Sequence, residues 1–215
     1  MEEQHGSGRE GGSAGGSAGG DPDGVDAARA DAAQAEPAGA AAARADDARI
    51  AGELKALLQR TVQTLQETGA RTEALGAFEA RRRILGLRRD PVLANRGRVW
   101  RLGVLLLDAQ GRLHTTGSVT RAVDPGRVTN QSERAELRRD DRRAAFQGTF
   151  ERGDTVNFGT SEIALDIPAL RAGEGMLALR GDTVLVRWST LPGAGLTPLE
   201  PYLADRAALL VAPPP

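Results

Sequence analysis

Residues 98–123 read RVWRLGVLLLDAQGRLHTTGSVTRAV: two strand-like runs around the turn-rich Asp108-Ala109-Gln110-Gly111. Strands over Val99–Leu107 and Leu113–Val123, joined by that four-residue loop, set Trp100 opposite Val119 and Leu102 opposite Gly117. The same register sets Val104 opposite Thr115 and Leu106 opposite Leu113, so one face is nearly all apolar. A slip that pairs Trp100 with Ser118 puts Leu106 against Arg112, which favours the first register. The reverse face carries Arg101, Leu105, His114, Thr116, Ser118 and Thr120. It is mostly polar, as on the solvated side of an antiparallel sheet.

A second hairpin lies downstream. Met176–Arg180 and Thr183–Trp188 flank Gly181-Asp182, a two-residue loop of the type II′ kind. Leu177 then faces Val186 and Leu179 faces Val184, with Trp188 on the same side. Thr155–Phe158 reads as a further strand. Between the hairpins, Gln131–Phe146 reads as a helix, with Asn130 as N-cap and Glu133 at the capping-box position. Pro168 opens a short helical turn over Asp166–Arg171. Thr197-Pro198-Leu199-Glu200 has the form of a capping box, followed by a helical face at Leu203, Ala207, Leu210 and Val211.

Upstream, Ile50, Leu54, Leu57, Leu58, Val62 and Leu65 fall on one face of a helix over Arg49–Thr68. Asp46 and Asp47 stand where they can cap it, and Gly69 marks its end. A docked helix is preferred over a dimerisation helix, because two to three heptads broken by threonines make a weak seam. Ala74–Arg83 reads as a second short helix, followed by an irregular stretch around Asp90-Pro91.

The first third is of another kind. All seven aromatic residues lie at or after Phe78, so little large apolar surface is available before it. GREGGSAGGSAGGDPDG is a flexible-linker composition, and the alanine-rich stretch 27–48 promises nascent helix at most. Residues 1–49 hold ten acidic and four basic groups, a net of −6, and the remainder carries +5. Such asymmetry suits an anionic partner for the folded part or electrostatic return of the tail. The expected architecture is α+β: an antiparallel sheet built from two hairpins with flanking helices, preceded by a disordered N-terminal tail. Its parts are a tail over 1–48, a helical region over 49–97 and an α+β domain over 98–212.

Several chemistries lack their residues. Cysteine is absent, and the histidines are His5 and His114, so neither a thiolate site nor a histidine pair at zinc-binding spacing exists. No metal and no cofactor is expected. Gly6-x-Gly8-x-x-Gly11 and Gly11-x-Ser13-x-Gly15 imitate a dinucleotide fingerprint and a nucleophile elbow, but neither follows a strand. A serine–histidine–aspartate arrangement would have to use His114, next to Thr116 and Ser118; the plainer reading is a half-exposed histidine on a solvated face. Residues 81–101 hold eight arginines against Asp90, and Arg134, Arg138 and Arg142 share a helix face. Glu136, Asp140 and Asp141 interleave with them, which favours a salt-laced solvated surface over a nucleic-acid interface. No apolar run is long enough to span a bilayer, and MEEQHGSGRE has no secretory pattern, so a cytoplasmic protein is expected.

RVWRLGVLLL, GSVTRAVDPG, RAAFQG, DTVNF, LVRWS and PLEPYLADRAALL, in this order, resemble a group of short proteins of high-GC Gram-positive bacteria often labelled "glutaminase". The resemblance covers about residues 98–212 and implies amide hydrolysis of glutamine. Serine-type glutaminases need Ser-x-x-Lys, yet Gly52 stands three residues before Lys55, the one lysine; amidotransferase types need a cysteine. No catalytic residue is carried over. The residues therefore point to a binding or interaction module for a protein or a small anionic ligand, with the glutaminase as alternative and nucleic-acid association behind both. The candidate ligand-binding residues are Arg101, His114, Thr116 and Ser118. There a guanidinium can hold a carboxylate or phosphate, and an imidazole adds a titratable donor.

Overall fold

The computed structural model describes residues 23–80, 90–126, 132–189 and 195–212. Residues 1–22 of the tail expected over 1–48 lie outside them, as do Arg81–Arg83, Arg88, Arg89, Asn130 and Gln131. The chain divides after Ala45, and Asp46 onward forms one unit.

Helix α1 spans Asp23–Glu67 and so starts well before Arg49. Alanine has the highest helix propensity, which carries the helix back through the alanine-rich stretch. Asp46 and Asp47 are therefore internal to the helix rather than caps, and Asp47 instead pairs with Arg171 at 2.6 Å. The end is as expected: Gly69 N donates to Gln66 O and Ala70 N to Leu65 O, the two bonds of a Schellman motif. Ile50, Leu54, Leu58, Val62 and Leu65 are buried.

After α1 the expected helix over Ala74–Arg83 is instead strand β1, Glu73–Glu79. ALGAFEA has helix-compatible residues, but β1 is hydrogen-bonded on both sides, and tertiary pairing overrides local propensity. Strand β2, Val92–Leu102, follows, so the expected boundary at 97/98 falls inside a strand. Next come β3 (Leu105–Asp108), β4 (Leu113–Thr115), β5 (Ser118–Arg121), α2 (Glu133–Phe146) and β6 (Thr155–Phe158). Helix α2 begins after Ser132.

These strands form one mixed sheet in the order β4-β3-β2-β1-β6-β5. Its edges meet. Antiparallel pairing of Ser118 with Phe158 and Arg121 with Thr155 continues, in the same register, to His114 with Glu162. Thr115 N donates to Ser161 O at 2.9 Å and Ile163 N to Leu113 O at 2.8 Å. Residues 113–121 and 155–163 are thus two long arms, each bent in the middle, and the sheet closes into a barrel of five arms. When five arms pair antiparallel in succession, the first and last run the same way, which explains the parallel β1–β6 pair. At the bend, a Cβ on Gly117 would lie 2.2 Å from Phe158 O, so the two arms approach as only glycine allows.

The opening hairpin is corrected in detail. The chain turns at Gly103-Val104, so Trp100 pairs with Leu107 and Leu102 with Leu105. Beyond the second turn, Leu107 pairs with Leu113 and Leu106 with His114, one residue from the expected register. Val119 is half-exposed and sits opposite Asn157. Tyr202 explains the early turn. Its hydroxyl accepts from Val104 N at 2.9 Å and donates to Leu102 O at 3.1 Å, pinning the hairpin. Gly103 has φ 64, and a Cβ there would lie 2.2 Å from that hydroxyl. Gly103→Ala is expected to cost about 2–3 kcal/mol, from left-handed strain plus the two displaced bonds. Gly111→Ala shares the strain at φ 79 but meets nothing closer than 3.9 Å, and is expected to cost about 1 kcal/mol. Urea midpoints of the two variants check the difference.

The rest of the unit packs on the barrel's outer wall. Helix α3 (Ile167–Ala172) is capped by Asp166, which accepts from Ala169 N at 2.9 Å. Strands β7 (Leu177–Arg180), β8 (Thr183–Arg187) and β9 (Leu196–Pro198) form a separate antiparallel sheet. The β7–β8 hairpin has the expected register, Leu177 with Val186 and Leu179 with Val184. Helix α4 is Leu199–Val211; Thr197 pairs with Val186 in β9 instead of capping it. The fold is α+β, with the two hairpins in different sheets. Trp100, Leu102, Leu105, Leu107 and Leu113 face the main core with α1, the small sheet and α4. Leu105 thus lies on the core side rather than on the polar face, because the turn at 103–104 reverses the alternation. Ala144 and Ala145 of α2 cover the other part of the wall, with Leu93, Val156 and Phe158.

Candidate functional site

The face that carries Arg101 and His114 is the inside of the barrel. Cross-strand pairing aligns Arg101 with Leu106 and His114, and Glu73 with Val99 and Asp108. Leu75, Val99 and Leu106 form a small buried apolar group among these polar residues. The expectation of a solvated face therefore fails. A sheet that closes on itself turns one face inward, and with five arms the interior is filled by its own side chains.

Arg101 already holds a carboxylate. Its Nε lies 3.4 Å from Glu73 Oε2, and its NH2 donates to Asn157 Oδ1 at 2.8 Å. Asn157, wholly buried, donates in turn to Glu73 Oε2 at 2.7 Å and to Ala74 O at 3.3 Å. The three side chains close a ring in which the guanidinium and the carboxylate each have a protein partner. His114 is 8% exposed rather than half-exposed. Its Nε2 is buried, 3.5 Å from Asp108 Oδ2, without a well-formed hydrogen bond.

Burial pushes the Asp108 carboxyl up, but the Arg112 and Gln110 backbone N–H groups, both at 2.9 Å, and the Arg112 guanidinium at 2.7 Å outweigh it. Asp108 is held below the usual carboxylate range. A carboxylate with a depressed folded-state value stabilises the fold at pH above its unfolded value, about 3.9, and that stabilisation vanishes as pH falls through the folded value. Asp108→Asn should therefore lower the urea midpoint at pH 6, and the gap to the parent should narrow as pH falls below the unfolded value and on through the lower folded one.

Thr116 is half-buried at the bend of its arm, and Ser118 is exposed, paired with Phe158. The structure brings Arg101 and His114 to one inner face, with Leu106 between them, and gives each a partner of its own. It does not bring Ser118 to them, since Phe158 belongs to the outer wall. Glu73 and Asn157 were missed from the sequence. The available signal was Asn157 itself, a strand-depleted residue inside the apolar run of DTVNF.

Outside the barrel, the arginines of 81–101 that are described have partners: Arg96 pairs with Glu79, and Arg98 with Asp154 at 2.9 Å. On α2, Arg143 lies 3.6 Å from Asp140. Open clefts flank the barrel's wall, and two of them carry arginines beside other polar or aromatic side chains. A cavity of about 580 Å³ is lined by Gly103, Val104, Trp188, Tyr202, Asp205 and Arg206. The Arg206 guanidinium lies 5.4 Å from the Tyr202 ring centre, and Trp188, expected on the same side of its hairpin as Leu177 and Leu179, is 52% exposed. A second cavity, of about 490 Å³, is lined by arginines and threonines. Among the described residues no group of three metal-ligating side chains occurs, and no helix is long and apolar enough to cross a membrane. No known protein family, curated protein or solved structure matches this chain.

Proposed function

We propose that this chain is a cytoplasmic binding module that engages a partner through the cleft between the pinned hairpin and α4. One observation carries the reading. Trp188 stands half-exposed beside Tyr202 and Arg206, the three residue types most enriched at binding hot spots. Tyr202 is immobilised by its two bonds to the hairpin, so the cleft floor is ordered before anything binds, which limits the entropy lost on association. In contrast, Arg101 and His114 lie in the barrel interior beside Glu73, Asn157 and Asp108, so they support the wall.

Trp188→Ala tests this. The variant is expected to keep its stability within about 0.5 kcal/mol, as exposed positions do, and to lose capture of the partner in a pull-down from the native lysate. Capture unchanged by the substitution contradicts the reading. The glutaminase alternative would have to draw on the Asp108–His114 pair. Release of ammonia from glutamine by the purified protein, abolished in His114→Ala, would replace the binding reading with that one. Retention on a polyanion column should be weak and vanish at physiological salt, as for scattered surface arginines.

A further inference from the structure

The second cavity lies at the end of the barrel where the α1–β1 loop, β2 and the start of β6 meet. Arg71, Arg98 and Arg152 line it with Thr72 and Thr155, and Asp154 is its one carboxylate among the described residues. The three arginines are not equivalent. Arg98 is fixed: Nε donates to Thr72 Oγ1 at 3.1 Å, NH2 to Thr72 O at 3.1 Å, and NH1 to Asp154 Oδ1 at 2.9 Å. Asp154 also accepts from Glu151 N at 3.1 Å, and its side chain is only 11% exposed, so its charge is committed inside the wall. Arg152 stacks over Phe146 at 3.9 Å from the ring centre but makes no hydrogen bond or ion pair among the described residues. Arg71 makes none either.

The cavity therefore holds two uncompensated guanidinium groups around a neutralised Arg98–Asp154 pair. Among the described residues its net charge is +2, from Arg71, Arg98 and Arg152 against Asp154. Stacking holds the Arg152 plane through its face and leaves the N–H edge unpaired, the arrangement that suits a bidentate oxyanion. Two positive charges and two threonines match a dianion with several acceptor oxygens. The volume, about 490 Å³, exceeds what a bare ion needs and falls in the range of small-molecule sites.

We infer that this cavity is a binding site for the phosphate monoester group of a small phosphorylated molecule, separate from the Trp188 cleft. The proposal does not depend on the binding reading of that cleft. A monoester dianion engages both free arginines at once, whereas a phosphodiester carries one charge and fewer free oxygens.

The test is a titration of the full chain, at physiological salt, with inorganic phosphate, glycerol 3-phosphate and dimethyl phosphate, followed by backbone amide shifts. Saturable shifts are expected at Gly69, Thr72, Gly153 and Thr155 with the first two ligands and not with the diester. Arg71→Ala and Arg152→Ala should each weaken binding about tenfold, as for loss of one charge-assisted hydrogen-bonding partner. Arg152→Lys keeps the charge but loses the fork and should weaken it as well. Arg138→Ala, on the exposed face of α2, should change nothing. No saturable shift at millimolar phosphate overturns the proposal, as does equal weakening by Arg138→Ala. Equal binding of dimethyl phosphate also overturns it, pointing to a nucleic-acid backbone instead. A glycerol 3-phosphate affinity above that of phosphate identifies a phosphorylated metabolite as the source. Equal affinities identify the free ion, contrary to the proposal.

Discussion

Asn157→Ala is expected to destabilise the chain by about 2–3 kcal/mol, the cost of removing a wholly buried amide from a half-buried polar network. Asn157 accepts from Arg101 and donates to Glu73 and to Ala74 O, with no solvent access of its own. Alanine removes the acceptor of the Arg101 NH2 and one of the donors to Glu73 Oε2, which still lies 3.4 Å from Arg101 Nε. Each group loses one bond but keeps the 3.4 Å Arg101–Glu73 pair, and at 31% and 21% side-chain exposure water recovers part of the loss. The loss should be strongly non-additive. In Arg101→Met, adding Asn157→Ala should cost markedly less than it does in the parent, because the guanidinium that needed the amide is gone. Urea unfolding of the four proteins gives the coupling directly. A loss below about 1 kcal/mol for Asn157→Ala would mean that the ring does not organise the interior, leaving Arg101 free for a ligand.

Trp100→Ala should cost about 3–5 kcal/mol, as for other buried large aromatics. Trp100 is 5% exposed, packs in the main core and donates from Nε1 to Ala70 O at 3.1 Å. That bond ties β2 to the residue that ends the Schellman motif of α1, so the substitution loosens the helix from the barrel wall as well as leaving a cavity. The chain has two tryptophans, which makes the check simple. Thermal or urea unfolding should fall sharply in Trp100→Ala and barely move in Trp188→Ala. Comparable losses in both would place Trp188 in the core and remove the cleft from which the binding reading starts.

What was legible in the sequence shares one property: neighbours in space were neighbours in the chain. The apolar stripe of α1, the Gly181-Asp182 hairpin with its register, β6 and the short helix opened by Pro168 each follow from spacing or turn chemistry within a few residues. What was not legible depends on distant partners. Leu102-Gly103-Val104-Leu105 reads as an unbroken apolar strand, and the turn there is held by Tyr202, far along the chain. Ala74–Glu79 looks helical until β2 and β6 are known to flank it. The polar face of residues 98–123 was read with the right members at Arg101 and His114. Alternation tells which residues share a face, however, and not whether that face meets water. Closure through the 113–121 and 155–163 arms decided that, and it placed Arg101 and His114 on the inner face of the barrel.

The account's central claim is that His114 belongs to the closed interior of the barrel. Its direct test is modification of the native protein with diethyl pyrocarbonate, with the labelled histidine located by peptide mass analysis. The burial of His114 beside Asp108 predicts no label on it in native buffer and full label once urea unfolds the chain. Labelling of His114 in native buffer at the rate of a free imidazole would contradict the claim.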